Sequence, residues 1–143
     1  MGDYVHFFGN TGNKELIFSN ILQPGGLYLF LNGMHIIFDP GPGTLSAYIK
    51  SYPNQIHILD AVILSHIHFD HSNDVNIFID GMTDEGKNKR GVILVPQEAI
   101  ENDRTIKEYL MDFPEKILIA EECTEYIIGS IHVKTSIAHQ HGI

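Results

Sequence analysis

A four-residue apolar run, Ala61-Val62-Ile63-Leu64, leads straight into Ser65-His66-Ile67-His68-Phe69-Asp70-His71. The run is short enough to be a buried strand. Beyond the polar stretch, Ser72-Asn73-Asp74 predicts a helix start, with Val75, Phe78, Ile79 and Met82 on one face at i, i+3, i+4 and i+7. His66, His68, Asp70 and His71 therefore lie in a strand-to-helix loop. Packing gives a buried strand no reason to present such a cluster. Neutral imidazole and carboxylate together suit a borderline transition metal, zinc or iron, rather than calcium. On an extended segment His66 and His68 project to one side, while Asp70 and His71 aim at a second point where the chain turns.

Around this loop the pattern is mixed strand and helix. Residues 4–9 read as a strand ending at glycine. Leu27 to Leu31 and Met34 to Phe38 read as a hairpin across Asn32-Gly33, since both turn positions tolerate positive φ. Thr44 predicts an N-cap for a helix through Ser51, stopped by Pro53. Val92-Ile93-Leu94-Val95 is a further buried strand. Asp103 offers a cap for a helix carrying Ile106, Tyr109, Leu110 and Phe113. Residues 117–120, 125–128 and 131–138 read as strands, the last with Ile131, Val133, Thr135 and Ile137 on its core-facing side. His6 and His35 sit inside apolar strands and read as satisfied core or edge histidines. His57 and His132 read as exposed. Thr83 to Arg90 reads as a solvated polar loop.

The H-x-H-x-D-H pattern at 66–71 resembles the signature of the metallo-β-lactamase superfamily of hydrolases, which includes glyoxalase II, tRNA 3′-processing endonucleases, lactonases and the lactamases. The resemblance implies that His66 and His68 bind one metal ion, that Asp70 and His71 bind a second, and that Asp70 also acts in catalysis by orienting the attacking water or passing its proton on. It implies one more histidine on the first ion, supplied at the end of the last strand. His141, in His141-Gly142-Ile143, is preferred on similarity to the RNA-processing branch, with His139 as the alternative on strand length. Asp39-Pro40-Gly41 resembles the superfamily's D-x-G loop, which makes Asp39 a buttress of the metal-binding loop. A carboxylate there accepts the spare N–H of a ligating imidazole and fixes its tautomer.

The implied fold is α/β (α+β), an αββα sandwich of which residues 1–143 make up one domain, the N-terminal half. The implied cofactor is zinc, two ions in a complete site, with iron or manganese as substitutes. The reaction class is hydrolysis of an ester, thioester, lactam or lactone bond in a small-molecule substrate. RNA phosphodiester cleavage, or a metal-binding fragment without turnover, are the alternatives. A bridging Asp and a final His come from the second half in that family, so the expectation is either a missing C-terminal half or a homo-oligomer.

Composition narrows this further. At 43% apolar and 19% charged residues the chain reads as globular, and 9 Lys plus Arg against 18 Asp plus Glu give a net charge of −9. That balance disfavours a broad nucleic-acid footprint, though Lys87, Lys89 and Arg90 could form a local patch. The single cysteine, Cys123, excludes an internal disulfide framework and fits a reducing cytoplasm. The N-terminal stretch, with Asp3, Lys14 and Glu15, reads as neither signal peptide nor membrane span.

Overall fold

The computed structural model describes residues 2–9, 15, 19, 25–101 and 105–138. Six strands form one sheet in sequence order: β1 Tyr4–Phe7, β2 Leu27–Leu31, β3 Met34–Phe38, β4 Ala61–Ile63, β5 Val92–Val95 and β6 Lys116–Ile119. The pairings β1–β2 and β2–β3 are antiparallel, and β3–β4, β4–β5 and β5–β6 are parallel. The change of direction follows from the connections. β2 and β3 are joined by Asn32-Gly33 at φ 49° and 79°, the left-handed pair that matches strand twist in a tight hairpin. From β3 onward each parallel return needs a crossover. Helix α1 (Thr44–Ser51) supplies it before β4, and α2 (Phe69–Ser72) with α3 (Val75–Met82) before β5.

Both faces of the sheet are covered, which is why β4 is buried at all three of its residues. On the helical face Tyr28, Ile37, Val62 and Ile93 from the sheet pack with Tyr48 of α1 and Phe78, Ile79 and Met82 of α3. On the other face Ile36, Ala61, Ile63 and Leu94 meet Ile128. That residue belongs to a two-stranded antiparallel unit, β7 Glu125–Ile128 with β8 Ile131–Lys134, whose Tyr126, Ile131 and Val133 join the same core. The unit leaves the far edge open: Val5 and Phe7 of β1 are 46% and 68% exposed.

Four expectations are corrected. The cap of α1 is Gly43, at φ 83°, not Thr44, whose hydroxyl is buried without a hydrogen-bond partner. Asp103, the expected cap of a further helix, lies outside the described residues; of that helix, residues 105–113 show a single 3-10 turn at Glu108–Leu110. Asn76 on α3 accounts for this: its side-chain amide donates to the Thr105 carbonyl (2.7 Å) and accepts from the Lys107 N–H (2.9 Å), holding the backbone in a non-helical path. The strand expected over 131–138 ends at Lys134, because its partner begins only at Glu125 and the ladder runs out there. Ile137, expected to face the core, is accordingly exposed. The loop after α3 is not wholly solvated. Thr83 is fully buried and its hydroxyl donates to the Ile79 carbonyl, while Arg90 pairs with Asp60 at 3.2 Å rather than standing in an open basic patch. Among the described residues no helix is long and apolar enough to cross a membrane.

Candidate metal centre

Phe38 and Ile63 end two neighbouring parallel strands in register, so the residues that follow them, Asp39 and the 65–71 loop, meet at the same edge of the sheet. The ends of parallel strands are where open α/β sheets place their ligands. Asp39 leaves β3 with φ 48°, an uncommon left-handed conformation for a residue with a Cβ, and its N–H is tied to the Ile63 carbonyl at 2.9 Å. Its side chain is thereby turned toward the next strand's loop, and the residue is only 6% exposed.

Three donors converge on that carboxylate. The Ser65 N–H donates to Asp39 Oδ1 at 2.6 Å and the Ser65 hydroxyl to Oδ2 at 2.5 Å. His71 Nδ1 lies 3.1 Å from the same Oδ2. His66 Nδ1 is 2.9 Å from the Ser65 hydroxyl. The His66 ring stands 4.2 Å, centre to centre, from that of His71 and 4.8 Å from that of His68. Asp70 Oδ2 is 3.4 Å from His71 Nε2. Asp39, His66 and His71 each present one ligand-type atom, and those atoms lie within 4.8 Å of one another. This donor set, imidazole and carboxylate at close quarters, fits a transition-metal ion.

The loop is braced from behind. Asp74, at the start of α3, does not cap its own helix. Its N–H donates to the Pro40 carbonyl at 2.8 Å, and its carboxylate accepts the Leu45 N–H of α1 at 3.0 Å. It therefore caps α1, whose own Gly43 has no side chain to do so. Ser72, 2% exposed, donates to the Ile67 carbonyl at 2.9 Å and fixes the turn that carries His68, Asp70 and His71. Neither Ser65 nor Asp74 was assigned these roles from sequence. Their partners lie 26 and 29 residues away, beyond the reach of any local pattern.

The remaining histidines are accounted for separately. His6 Nδ1 and the Tyr52 hydroxyl are hydrogen-bonded at 2.8 Å, and His35 Nδ1 and the Tyr28 hydroxyl at 2.5 Å. Burial, with the neighbouring Tyr4, pushes the Tyr52 hydroxyl up to about 12, so it stays protonated. His57 is exposed, and His132 is exposed beside Glu125 at 2.8 Å. His139 and His141 lie outside the described residues.

Two outcomes follow from Asp39. The substitution Asp39→Asn is expected to weaken zinc affinity roughly 10- to 100-fold, as the loss of a ligand-orienting carboxylate does; chelator competition measures it, and unchanged affinity would contradict the buttressing role. The second outcome concerns pH. The hydrogen bond to Asp39 holds the His71 pKa above its usual value, with the Asp39 and Asp70 charges adding to the effect against burial. A raised folded-state pKa gives stability that is fully present below the unfolded value and lost as pH rises through the folded one. Chelator-treated protein should therefore lose this contribution as pH climbs through and past the ordinary histidine range, and Asp39→Asn should flatten that dependence in thermal melts. Because the same proton competes with metal, loading is expected to fall on acidification.

No family model matches the chain. An uncharacterized protein of Methanocaldococcus jannaschii is 28% identical over 101 residues, covering 68% of this chain and 36% of that protein. Among solved structures, the metallo-β-lactamase fold protein YhfI from Bacillus subtilis superposes with a TM-score of 0.65 at 20% identity, over 90% of this chain and 50% of that one. A long-form RNase Z from yeast gives 0.64 at 12% identity, over 80% of this chain and 18% of that one. A diphosphatase from the PhnP family gives 0.59 at 13% identity, over 92% and 55%. The chain thus spans 36% of its curated relative and half or so, or less, of these structures. Taken with the order of the strands, these superpositions establish that the chain has the metallo-β-lactamase fold.

Proposed function

We propose that this protein is a metal-dependent hydrolase acting on an ester, thioester, lactam or lactone bond of a small molecule. The observation that carries the reading is the meeting of Asp39, His66 and His71 at the ends of β3 and β4, with ligand-type atoms within 4.8 Å of one another. His66 and His68, with His141 or His139, are the proposed holders of a first ion, and Asp70 with His71 those of a second; zinc is the preferred metal. When bound, such ions polarise the oxygen under attack and lower the pKa of water to about 7.

The chain's own residues supply the rest. Asp39 and Ser65 hold the imidazoles in place. Asp70, beside His71, is the carboxylate positioned to orient the attacking water and carry its proton toward the leaving group. Phe69 is 80% exposed between His68 and Asp70 and offers an apolar surface to the body of the substrate.

An RNA phosphodiester is the second reading, favoured by the likeness to RNase Z and opposed by the −9 charge. The test is a panel of a thioester, a lactone, a β-lactam and a bis-aryl phosphodiester, offered to zinc-loaded and chelator-treated protein. Turnover of a carbonyl substrate, lost on chelation and in His68→Ala, is the expected result. Turnover confined to the phosphodiester would replace it with the second reading. No turnover of any of them by fully loaded protein would overturn the hydrolase reading for this chain.

A further inference from the structure

We infer that Ser65 is a positioning residue that sets the tautomer of His66, so that a single carboxylate, Asp39, orients two imidazoles at once: His71 directly and His66 through one hydroxyl. The inference rests on reading residues 66–71 as the metal-binding loop. Its basis is a count of protons. An ionised carboxylate only accepts, and a serine hydroxyl has one proton to give and lone pairs to receive. Asp39 is buried and lies 2.5 Å from the Ser65 hydroxyl, a distance typical of an O–H donated to a charged acceptor. The hydroxyl proton is thus committed to Asp39.

Toward His66 Nδ1, at 2.9 Å, the same hydroxyl can then only accept. Nδ1 must carry the proton, and the neutral ring keeps its lone pair on Nε2. By the same reasoning His71 Nδ1, 3.1 Å from Asp39 Oδ2, carries a proton and leaves its lone pair on Nε2, the nitrogen that faces Asp70. Two neighbouring rings are therefore set to present the same nitrogen as ligand. Which ring nitrogen binds a metal is decided by the hydrogen bond the other makes.

The geometry also separates Ser65 from a packing role. The residue is exposed, so removing its hydroxyl opens no cavity, and Asp39 keeps the Ser65 N–H and His71 as donors.

The test is nitrogen-15 NMR of the histidine rings in the metal-free protein, at a pH well above the histidine range, for wild type, Ser65→Ala and Ser65→Thr. His66 is expected as the Nδ1–H tautomer in wild type and in Ser65→Thr, and shifted toward Nε2–H in Ser65→Ala. His71, bonded to Asp39 itself, should stay Nδ1–H in all three. Zinc affinity by chelator competition should drop on the order of 10-fold in Ser65→Ala and recover in Ser65→Thr. A wild-type His66 already in the Nε2–H form would overturn the inference, as would a tautomer unmoved by Ser65→Ala. Since wild type alone reads the tautomer, a poorly folded variant does not remove the test. Absence of hydrolysis would count against the proposed function but leave the tautomer result standing.

Discussion

Replacing His66 and His68 together by alanine is expected to abolish the transition-metal load of the purified protein. His66 is half-buried and His68 exposed, and neither belongs to a hydrophobic core. Their removal should therefore leave thermal unfolding of the metal-free protein nearly unchanged, which separates loss of ligands from loss of fold. Asp70 and His71, with His141 or His139, would remain, divided between the two proposed ions and too few at either to compete for zinc against a chelator. Mass-spectrometric metal analysis of protein purified without added metal gives the reading. A double variant that retained the wild-type load would show that the ion is held elsewhere.

The largest expected effect on stability is that of Phe78→Ala. Phe78 is fully buried on α3, and its ring meets that of Tyr48 edge-on at 5.6 Å, joining α1 to α3 on this side of the sheet. Truncating a fully buried aromatic costs about 3–5 kcal/mol, against a total stability for domains of this kind of about 5–15 kcal/mol. The urea midpoint should fall steeply with little change in slope. Because α3 begins at Asp74, which ties together the loops around the metal centre, metal affinity should weaken in parallel. A loss under about 1 kcal/mol would mean that the helical face can collapse around the gap.

Much of this architecture is legible in local patterns, and the exceptions have specific causes. The Asn32-Gly33 hairpin and the helix over 44–51 follow from turn chemistry and from apolar spacing that tertiary contacts reinforce. So do the strands at 92–95 and 125–128. The segment after residue 103 has equally good helical spacing, yet Asn76, about 30 positions earlier, claims its backbone groups with a side-chain amide. Nothing in the spacing of Ile106, Tyr109 and Leu110 announces that competitor. The alternation from Ile131 to Ile137 is real, but a strand lasts only as long as its partner, and β7 has four residues.

The histidines and Asp70 could be picked out because they share one short stretch, and Asp39 because its loop resembles a known one. Ser65 was in plain view as the first residue of the stretch. Its function depends on which carboxylate lies across from it, and that is decided by the parallel pairing of β3 with β4.

That Asp74 grips both the Pro40 carbonyl and the first turn of α1 has a thermodynamic consequence. The Asp39 and 65–71 loops are held at their spacing by contacts among protein groups, so this part of the site is assembled when the chain folds rather than when an ion arrives. Ligand loops that must be gathered by their metal lose conformational freedom on binding, and their affinity is reduced by that entropy. Here the loss belongs to folding. Ion capture should then be nearly silent in hydrogen exchange at the amides of these two loops.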